Sequence, residues 1–289
     1  MPPTQNFSAL LLNLDRDVER RGHMEKQLAK AQVAFTRQSG ILGEAVPDDL
    51  RSYFYDAQGL PKTTMKRGEI GCYASHLRAL KRVASKELGG AVLIMEDDLE
   101  LVPDFLDILR TALLAVQPNW DIIRLSCPPR RAYAPVARLD AAHVLARYSK
   151  IPNSAGAYLV TPAGAQKFLQ RGVRGLTFDD DLRRPWFHRM ETFGVIPPPA
   201  KAGVLKSTID AIEAGRFDKG ISSRAERLVR GDHLYAFKRL AYNISNLGPM
   251  NWLACSVINL VDMLAKPILG HSIIHVAARY FPARRNDKR

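Results

Sequence analysis

Four short apolar runs in the first two thirds of the chain predict buried strands. They cover Ser8–Leu14, Ala91–Met95, Trp120–Leu125 and Ala157–Val160. Apolar runs of this length, without polar alternation, are typical of strands that are covered on both faces. The pattern therefore predicts a sheet that is packed between helices.

Between these runs, apolar residues recur every three or four positions, which is helical spacing. The predicted helices cover Asp17–Val33, Gly68–Leu88, Pro103–Val116 and Pro162 to about Arg171. Pro103 and Pro162 suit a first helical turn, and Thr161 suits an N-cap. The stretch Leu42–Lys66 is rich in Pro, Gly, Asp and Tyr and predicts an irregular loop. Strands that alternate with helices predict an α/β domain.

Beyond about Lys201 the pattern changes, and we predict two domains, at residues 6–200 and 201–289. Ala225–Leu247 has helical spacing and is basic, whereas Met250–Ala278 is strongly apolar. Polar residues interrupt the apolar stretch, which disfavours a membrane-spanning helix. Two amphipathic helices fit better, either packed on the domain or lying on a membrane surface.

The net charge of +13 is concentrated near the C-terminus, where residues 183–289 hold 18 Lys and Arg against 8 Asp and Glu. This imbalance indicates either a solvated basic surface or an anionic partner, nucleic acid or membrane. The three cysteines are scattered and have no paired metal-ligand spacing, as expected of buried thiols in a reducing compartment. The N-terminus does not read as a signal peptide, so we expect a cytoplasmic protein.

The most informative chemical feature is the acidic run Glu96-Asp97-Asp98 directly after the strongest predicted strand. Open α/β sheets bind ligands at the carboxyl ends of their strands. Carboxylates clustered there form a hard-oxygen site for Mg²⁺ or Mn²⁺, which can neutralise a pyrophosphate. The alternative is an acidic helix start, because negative charge is favourable near a helix N-terminus.

A second acidic cluster, Asp179-Asp180-Asp181, follows a glycine-rich turn. It offers a carboxylate that could take a proton from an attacking hydroxyl, although an N-cap aspartate run would look the same. Gly68 and Gly71 stand three apart at a helix start and permit close backbone approach to a ligand. Arg16 and Arg20 lie just after the first strand, where arginines can grip phosphates or remain exposed helix charges.

Four segments, in order, resemble glycosyltransferase family 25, the lipopolysaccharide glycosyltransferases of bacteria. The matching blocks are Leu12–Arg16 with Glu19-Arg20, Gly68–Cys72 with Ser75-His76, Ile94–Asp98 with Phe105, and Gly156–Val160 with Gly164-Ala165. Together they span about residues 8–185. The resemblance does not reach the last 80-odd residues.

The resemblance implies a GT-A-type, Rossmann-like fold that binds a UDP-sugar through a divalent metal, Mn²⁺ or Mg²⁺. It further implies inverting transfer, commonly of galactose, onto a core oligosaccharide. Asp98 is the first choice for metal contact, with Glu96 beside it and His188 as a further ligand. The base is expected within Asp179–Asp181, where the family often has a Pro-x-Asp element and this chain has Thr177-Phe178. We predict donor-binding roles for Asn13, Arg16, Arg20, Gly71, Ser75, His76, Glu96 and Asp97.

The expected partners are the UDP-sugar, a lipid-linked oligosaccharide acceptor, and an anionic inner-membrane surface contacted by residues 225–289. A basic nucleic-acid-binding protein is a weaker alternative, because aromatic residues do not interleave with Lys and Arg and the acids gather in the expected cleft. A non-catalytic, membrane-associated scaffold that keeps the fold is the other alternative. The intact acidic clusters argue against it.

Overall fold

The computed structural model of the protein describes residues 7–172, 174–203, 234–269 and 271–274. Its centre is an eight-stranded mixed sheet in the order β2-β1-β3-β8-β5-β9-β7-β6. The strands are β1 (Ser8–Asn13), β2 (Thr36–Ser39), β3 (Val92–Glu96), β5 (Ile122–Arg124), β6 (Tyr133–Arg138), β7 (Val144–Tyr148), β8 (Ala157–Val160) and β9 (Thr192–Ile196). A small antiparallel pair joins β4 (Leu99–Leu101) to β10 (Ala200–Ala202).

Six of the eight strands run in one direction, whereas β7 and β8 run the other way. The reversed strand β8 lies between β3 and β5 and pairs antiparallel with both. The amino end of β8 therefore lies at the same edge of the sheet as the carboxyl ends of β1, β3 and β5. This edge carries the candidate site.

Helices cover both faces of the sheet. They are α1 (Val18–Lys30), α2 (Asp48–Arg51), α3 (Arg67–Ala84), α4 (Phe105–Ala115), α5 (Pro162–Leu169) and α6 (Phe178–Leu182), with a 3₁₀ turn at Pro185–Phe187. One apolar core includes Met24, Leu28 and Leu109, and the other includes Tyr73, Leu77 and Phe168. The continuously apolar strands β1 and β3 contribute alternate side chains to both cores, for example Leu93 to one and Ile94 to the other.

The predicted α/β class is therefore confirmed, and the four predicted strands and four predicted helices are present. The prediction that Pro103 lies in the first turn of a helix is wrong, because α4 begins at Phe105, two residues later. The stretch Leu42–Lys66 is largely irregular, yet it contains the short helix α2 and buries Leu50 and Phe54 completely. These side chains fix the segment against α3.

Two further helices follow the sheet domain: α7 (Tyr235–Leu247) and α8 (Pro249–Leu269). Helices are thus present in both stretches for which they were predicted, Ala225–Leu247 and Met250–Ala278. Residues 225–233, 270 and 275–278 of these stretches lie outside the described ranges. Among the described helices, α8 alone is long and apolar enough to cross a membrane by length and composition. Whether its polar residues prevent spanning, as predicted, stays a prediction. The domain boundary after residue 200 remains a prediction.

Candidate active site

A cavity of about 770 Å³ opens at the carboxyl edge of the sheet. Its walls come from the segments that follow β1, β2 and β3, the first turn of α1, the first three turns of α3, the segment before β8, and the start of α6. The predicted residues Asn13, Arg16, Arg20, Gly71, Ser75, His76, Glu96, Asp97, Asp98 and Asp179 all line it. Residues that are far apart in the sequence therefore meet at the edge where α/β sheets bind ligands.

The three acids at the end of β3 have different partners. Arg20 reaches both aspartates with one nitrogen, Nη2, at 2.9 Å from Asp97 Oδ1 and 2.7 Å from Asp98 Oδ2. Asp97 is nearly buried, whereas the Asp98 side chain is 28% exposed toward the cavity. Arg20 thus neutralises part of the charge of this pair, and Asp98 is the aspartate more open to a ligand.

Glu96 turns instead toward His76 at the base of the cavity. His76 Nε2 lies 3.0 Å from Glu96 Oε1, while its Nδ1 lies 3.0 Å from the Tyr158 hydroxyl. Burial, followed by the charges of Asp98 and Asp97, raises the pKa of Glu96 to about 8. Burial lowers the pKa of His76 to about 3. At neutral pH the pair is therefore a neutral hydrogen-bonded unit, and Glu96 holds a proton.

Asn13 at the end of β1 orients Asp97. Its Nδ2 donates to Asp97 Oδ2 at 2.6 Å and to the Asp17 carbonyl at 3.0 Å, while its Oδ1 accepts a hydrogen bond from Arg37 Nε at 2.9 Å. Asn13 itself is buried. In this structure Asn13 positions the Asp97 carboxylate while it also lines the cavity, and its predicted contact with the donor stays a prediction.

Gly71 and Ser75 bind the loop after β2 to helix α3. A Cβ on Gly71 would lie 2.5 Å from the Ile41 carbonyl oxygen, so no other residue fits without moving that backbone. Ser75 Oγ accepts a hydrogen bond from Ile41 N and donates one to the Gly71 carbonyl, both at 2.8 Å. The close approach predicted at Gly71 is thus an approach to the protein's own loop, which forms one wall of the cavity.

The three aspartates of α6 are separated by their partners. Asp181 is fully buried, where it accepts a hydrogen bond from the Tyr73 hydroxyl at 2.8 Å, and Asp180 is paired with Arg183 and Arg184. Asp179 alone lines the cavity. Burial is the main cause that raises the pKa of Asp179 to about 6.

The local sequence explains why Asp179 faces the cavity. Thr177 caps α6, its hydroxyl accepting a hydrogen bond from Asp180 N, and the next residue, Phe178, is buried with its ring stacked on His76 at 4.0 Å between centroids. The helix start is therefore fixed on both sides. Asp179 lines the same cavity as the acids at the end of β3.

The family model described as glycosyltransferase family 25 (LPS biosynthesis protein) matches residues 7–181, more than half of the chain. The chain belongs to glycosyltransferase family 25. The matched range contains every strand and loop that lines the cavity. The resemblance read from the sequence is therefore confirmed.

Two curated relatives carry related names. A putative glycosyltransferase R655 of Acanthamoeba polyphaga mimivirus is 26% identical over 123 residues, which is 41% of this chain and 37% of the relative. Procollagen galactosyltransferase 1-B of Xenopus laevis is 28% identical over 138 residues, 43% of this chain and 22% of the relative. The chain thus spans well under half of the length of either relative.

Solved structures resemble this family 25 member only loosely. The apo form of the glycosyltransferase GlyE of Streptococcus pneumoniae TIGR4 has a TM-score of 0.33 at 10% identity, covering 82% of this chain and 63% of that one. Mouse xyloside xylosyltransferase 1 has a TM-score of 0.30 at 11% identity, covering 61% and 80%. Likenesses of this size support no conclusion about the site.

The acidic residues of the site suit a hard divalent cation. Asp97 and Asp98 offer carboxylate oxygens at one cavity wall, which is the donor type that Mg²⁺ and Mn²⁺ prefer. Glu96 lines the same cavity but faces His76 and holds a proton, so its predicted metal contact stays a prediction. A cation on Asp98 would share that carboxylate with Arg20 or displace it. The ligand atoms of Cys72, His76 and Glu96 also lie within 4.8 Å of one another, but the thiol's pKa is raised well above its ordinary value, mainly by burial. The carboxylate set fits the cation better.

His188, predicted as a further metal ligand, is not among the residues that line the cavity. Its ring is buried and stacks on Phe168 at 4.3 Å between centroids, and burial lowers its pKa to about 3. Neither ring nitrogen has a hydrogen-bond partner among the described residues. The structure therefore places His188 in the packing behind α5.

Arg124 is a residue that sequence reasoning missed. It ends β5, is completely buried, and its Nη2 donates to the Pro152 carbonyl at 3.5 Å. Its positive charge lowers the pKa of Asp179 and so partly offsets the effect of burial. The available signal was an arginine directly after the apolar pair Ile122-Ile123, because a buried cation costs free energy unless it is paired or hydrogen-bonded.

Proposed function

We propose that the chain transfers a hexose, galactose in the first instance, from a UDP-sugar to a hydroxyl of a lipopolysaccharide core acceptor, with inversion at the anomeric carbon. The enzyme class follows from the family. The observation that carries the mechanism is that Asp179 alone, among three consecutive aspartates, faces the cavity that contains Glu96–Asp98. The name of the Xenopus laevis relative, a procollagen galactosyltransferase, supports galactose as the sugar to test first.

The donor end of the reaction uses the wall formed by β1, α1 and β3. Asp97 and Asp98 would hold the divalent cation, which supplies positive charge against the donor's pyrophosphate when bound. Arg16, Arg20 and Arg67 line the same cavity, and guanidinium groups pair well with phosphate oxygens. We propose that they stabilise the negative charge that develops on the departing UDP. The same arrangement supports a GT-A-type, Rossmann-like assignment of the fold.

The acceptor end uses Asp179. In a single displacement, the acceptor oxygen bonds to the anomeric carbon as the bond from that carbon to the UDP oxygen breaks, and the hydroxyl proton passes to an Asp179 carboxylate oxygen. A pKa of about 6 leaves this carboxylate ionised at neutral pH while making it a stronger base than an ordinary aspartate. Arg124, buried nearby, favours the ionised form before the proton arrives.

The experiment is a UDP-release assay with UDP-galactose, Mn²⁺ and a core oligosaccharide acceptor, scanned over other UDP-sugars. Asp98→Ala should lose most of its turnover and should bind Mn²⁺ less tightly. Asp104→Ala is a matched control, because Asp104 is an exposed aspartate at the start of α4 and does not line the cavity. Near wild-type turnover of Asp98→Ala, or retention of configuration in the product, would overturn the proposal.

A further inference from the structure

Helix α8 is attached to the sheet domain by its polar side. Asn259 Oδ1 accepts a hydrogen bond from Ala132 N at 2.7 Å, and its Nδ2 donates to Ser149 Oγ at 3.2 Å. On the same side Cys255 is fully buried, and Asp262 is buried and accepts a hydrogen bond from Ser272 Oγ at 2.7 Å. The polar face of α8, which an amphipathic helix on a soluble protein would expose to water, is therefore the face that packs on the sheet domain.

The opposite side of α8 is an exposed apolar stripe. Its members recur at helical spacing and are Leu253, Val257, Leu260, Leu264 and Ile268, and the last two are 63% and 83% exposed. Met250, Val261 and Met263 extend the exposed apolar surface on the same helix. Single exposed apolar residues are ordinary, but a continuous stripe over about four turns indicates a surface with an apolar partner.

Positive charge accompanies this stripe. Burial and the nearby charges of Arg183, Arg239, Arg131 and Arg130 lower the pKa of Lys150. Arg239 belongs to α7, and Ser149, next to Lys150, is hydrogen-bonded to Asn243 of α7 and Asn259 of α8. Arg130, Lys150 and Arg239 are exposed. In the sequences of the two helices Asp262, which is held on the docked side, is the only acid. The exposed surface is therefore apolar and cationic, without acidic side chains from either helix.

We infer that α7 and α8 form a docking surface for an anionic lipid bilayer, with α8 lying in the membrane plane and its apolar stripe inserted at the boundary of headgroups and acyl chains. An apolar stripe beside basic residues is the composition that binds such an interface. A second copy of the chain would bring the same positive charges face to face, which disfavours a dimer through this surface. The hydrogen bonds of Asn259 hold α8 against the domain, which favours lying in the plane over spanning.

This surface is separate from the cavity, so the inference does not depend on the proposed reaction. The test is flotation of the full chain with vesicles of phosphatidylcholine alone and with vesicles that also contain phosphatidylglycerol. We expect binding to the anionic vesicles, weakened about tenfold or more by high salt or by the double variant Lys150→Glu/Arg239→Glu. Leu264→Asp/Ile268→Asp should lower binding about a hundredfold or more.

Leu114→Asp is the matched control, because Leu114 is 78% exposed on α4 and does not belong to the stripe on α8. This variant should float like the wild type, and all variants should keep the same circular dichroism and the same UDP release with a water-soluble acceptor. Flotation that Leu264→Asp/Ile268→Asp leaves unchanged overturns the inference. So does a wild-type dimer that this double variant converts to a monomer without lipid, or wild-type protein that resists alkaline extraction as a spanning helix would.

Discussion

Replacing Asp179 by asparagine tests the division of roles among the three aspartates of α6. The amide keeps the size of the side chain but cannot accept the proton of the acceptor hydroxyl, so kcat should fall by about 10²–10⁴-fold. Because the pKa of Asp179 is about 6, wild-type kcat/KM should rise with pH through that value. At pH 5 it should reach only about a tenth of its plateau, whereas a base at the ordinary value of 3.8 would already be almost fully ionised.

The same substitution should stabilise the folded protein at neutral and higher pH. The pKa of Asp179 is raised in the folded state, so keeping its carboxylate ionised costs folding free energy above that pKa. Each unit by which the pKa is raised costs about 1.4 kcal/mol of folding free energy. The rise from 3.8 to about 6 therefore sets an upper bound of about 3 kcal/mol on this cost. Water in the open cavity screens the charge, so we expect Asp179→Asn to gain about 1–2 kcal/mol at pH 8. The gain should vanish below about pH 4, where both states are protonated.

Asp180→Asn is the control at the neighbouring position. Asp180 is paired with Arg183 and Arg184, so its substitution should cost about 1 kcal/mol of stability and leave turnover within about twofold. Denaturant unfolding and UDP release, each measured from pH 4 to about pH 8.5, separate the two variants. If Asp179→Asn is active, or if its activity loss is matched by Asp180→Asn, the assignment of the base is wrong.

Three further predictions follow from the packing and the ion pairs. Gly71→Ala should cost about 2 kcal/mol or more by forcing the Ile41 backbone away, whereas Gly22→Ala in α1, with open space around it, should gain about 0.5–1 kcal/mol; urea unfolding measures both. Arg20→Met should lower the melting temperature, because Asp97 and Asp98 lose the guanidinium group that pairs with both. Mn²⁺ should raise the melting temperature of this variant more than that of the wild type. A melting temperature that does not respond to Mn²⁺ would speak against the cation site. Lys167→Met should cost about 3 kcal/mol, because it leaves the buried carboxylate of Asp121 without its ammonium partner at 2.6 Å; an unchanged unfolding midpoint would contradict this.

The strands that could be predicted are those whose own sequence shows that they are buried. β3 and β8 are apolar throughout and lie in the middle of the sheet, so composition alone marks them. β2, with the sequence TRQS, is an edge strand that exists only because β1 pairs with it, and no apolar pattern announces it. The hairpin of β6 and β7 is Ala- and Arg-rich and contains Pro135 at a register shift, which hides its alternation.

The sequence was enough to predict which residues line the site, but not which of them pair with one another. The order of four motifs placed Asn13, Gly71, Glu96 and Asp98 at one cavity, because strand ends meet at one edge. That Glu96 would pair with His76 and hold a proton depends on burial and on a contact between α3 and β3, which no local pattern encodes. Likewise, only the packing of α6 shows which aspartate of three reaches the cavity.

Because β8 runs opposite to its neighbours, the segment before β8 lines the same cavity as the segments that follow β1 and β3. Because β8 enters the sheet from the cavity side, the segment before it, which includes Asn153, lies opposite the segments that follow β1 and β3. Gly156 at its start is tied to the centre, where its carbonyl accepts a hydrogen bond from Glu96 N at 2.8 Å. Changes of length or sequence between β7 and Gly156 can therefore alter what the enzyme recognises while the strands that present the acidic triplet keep their register. Evolution, or a designer, could retune selectivity in this segment without disturbing the scaffold.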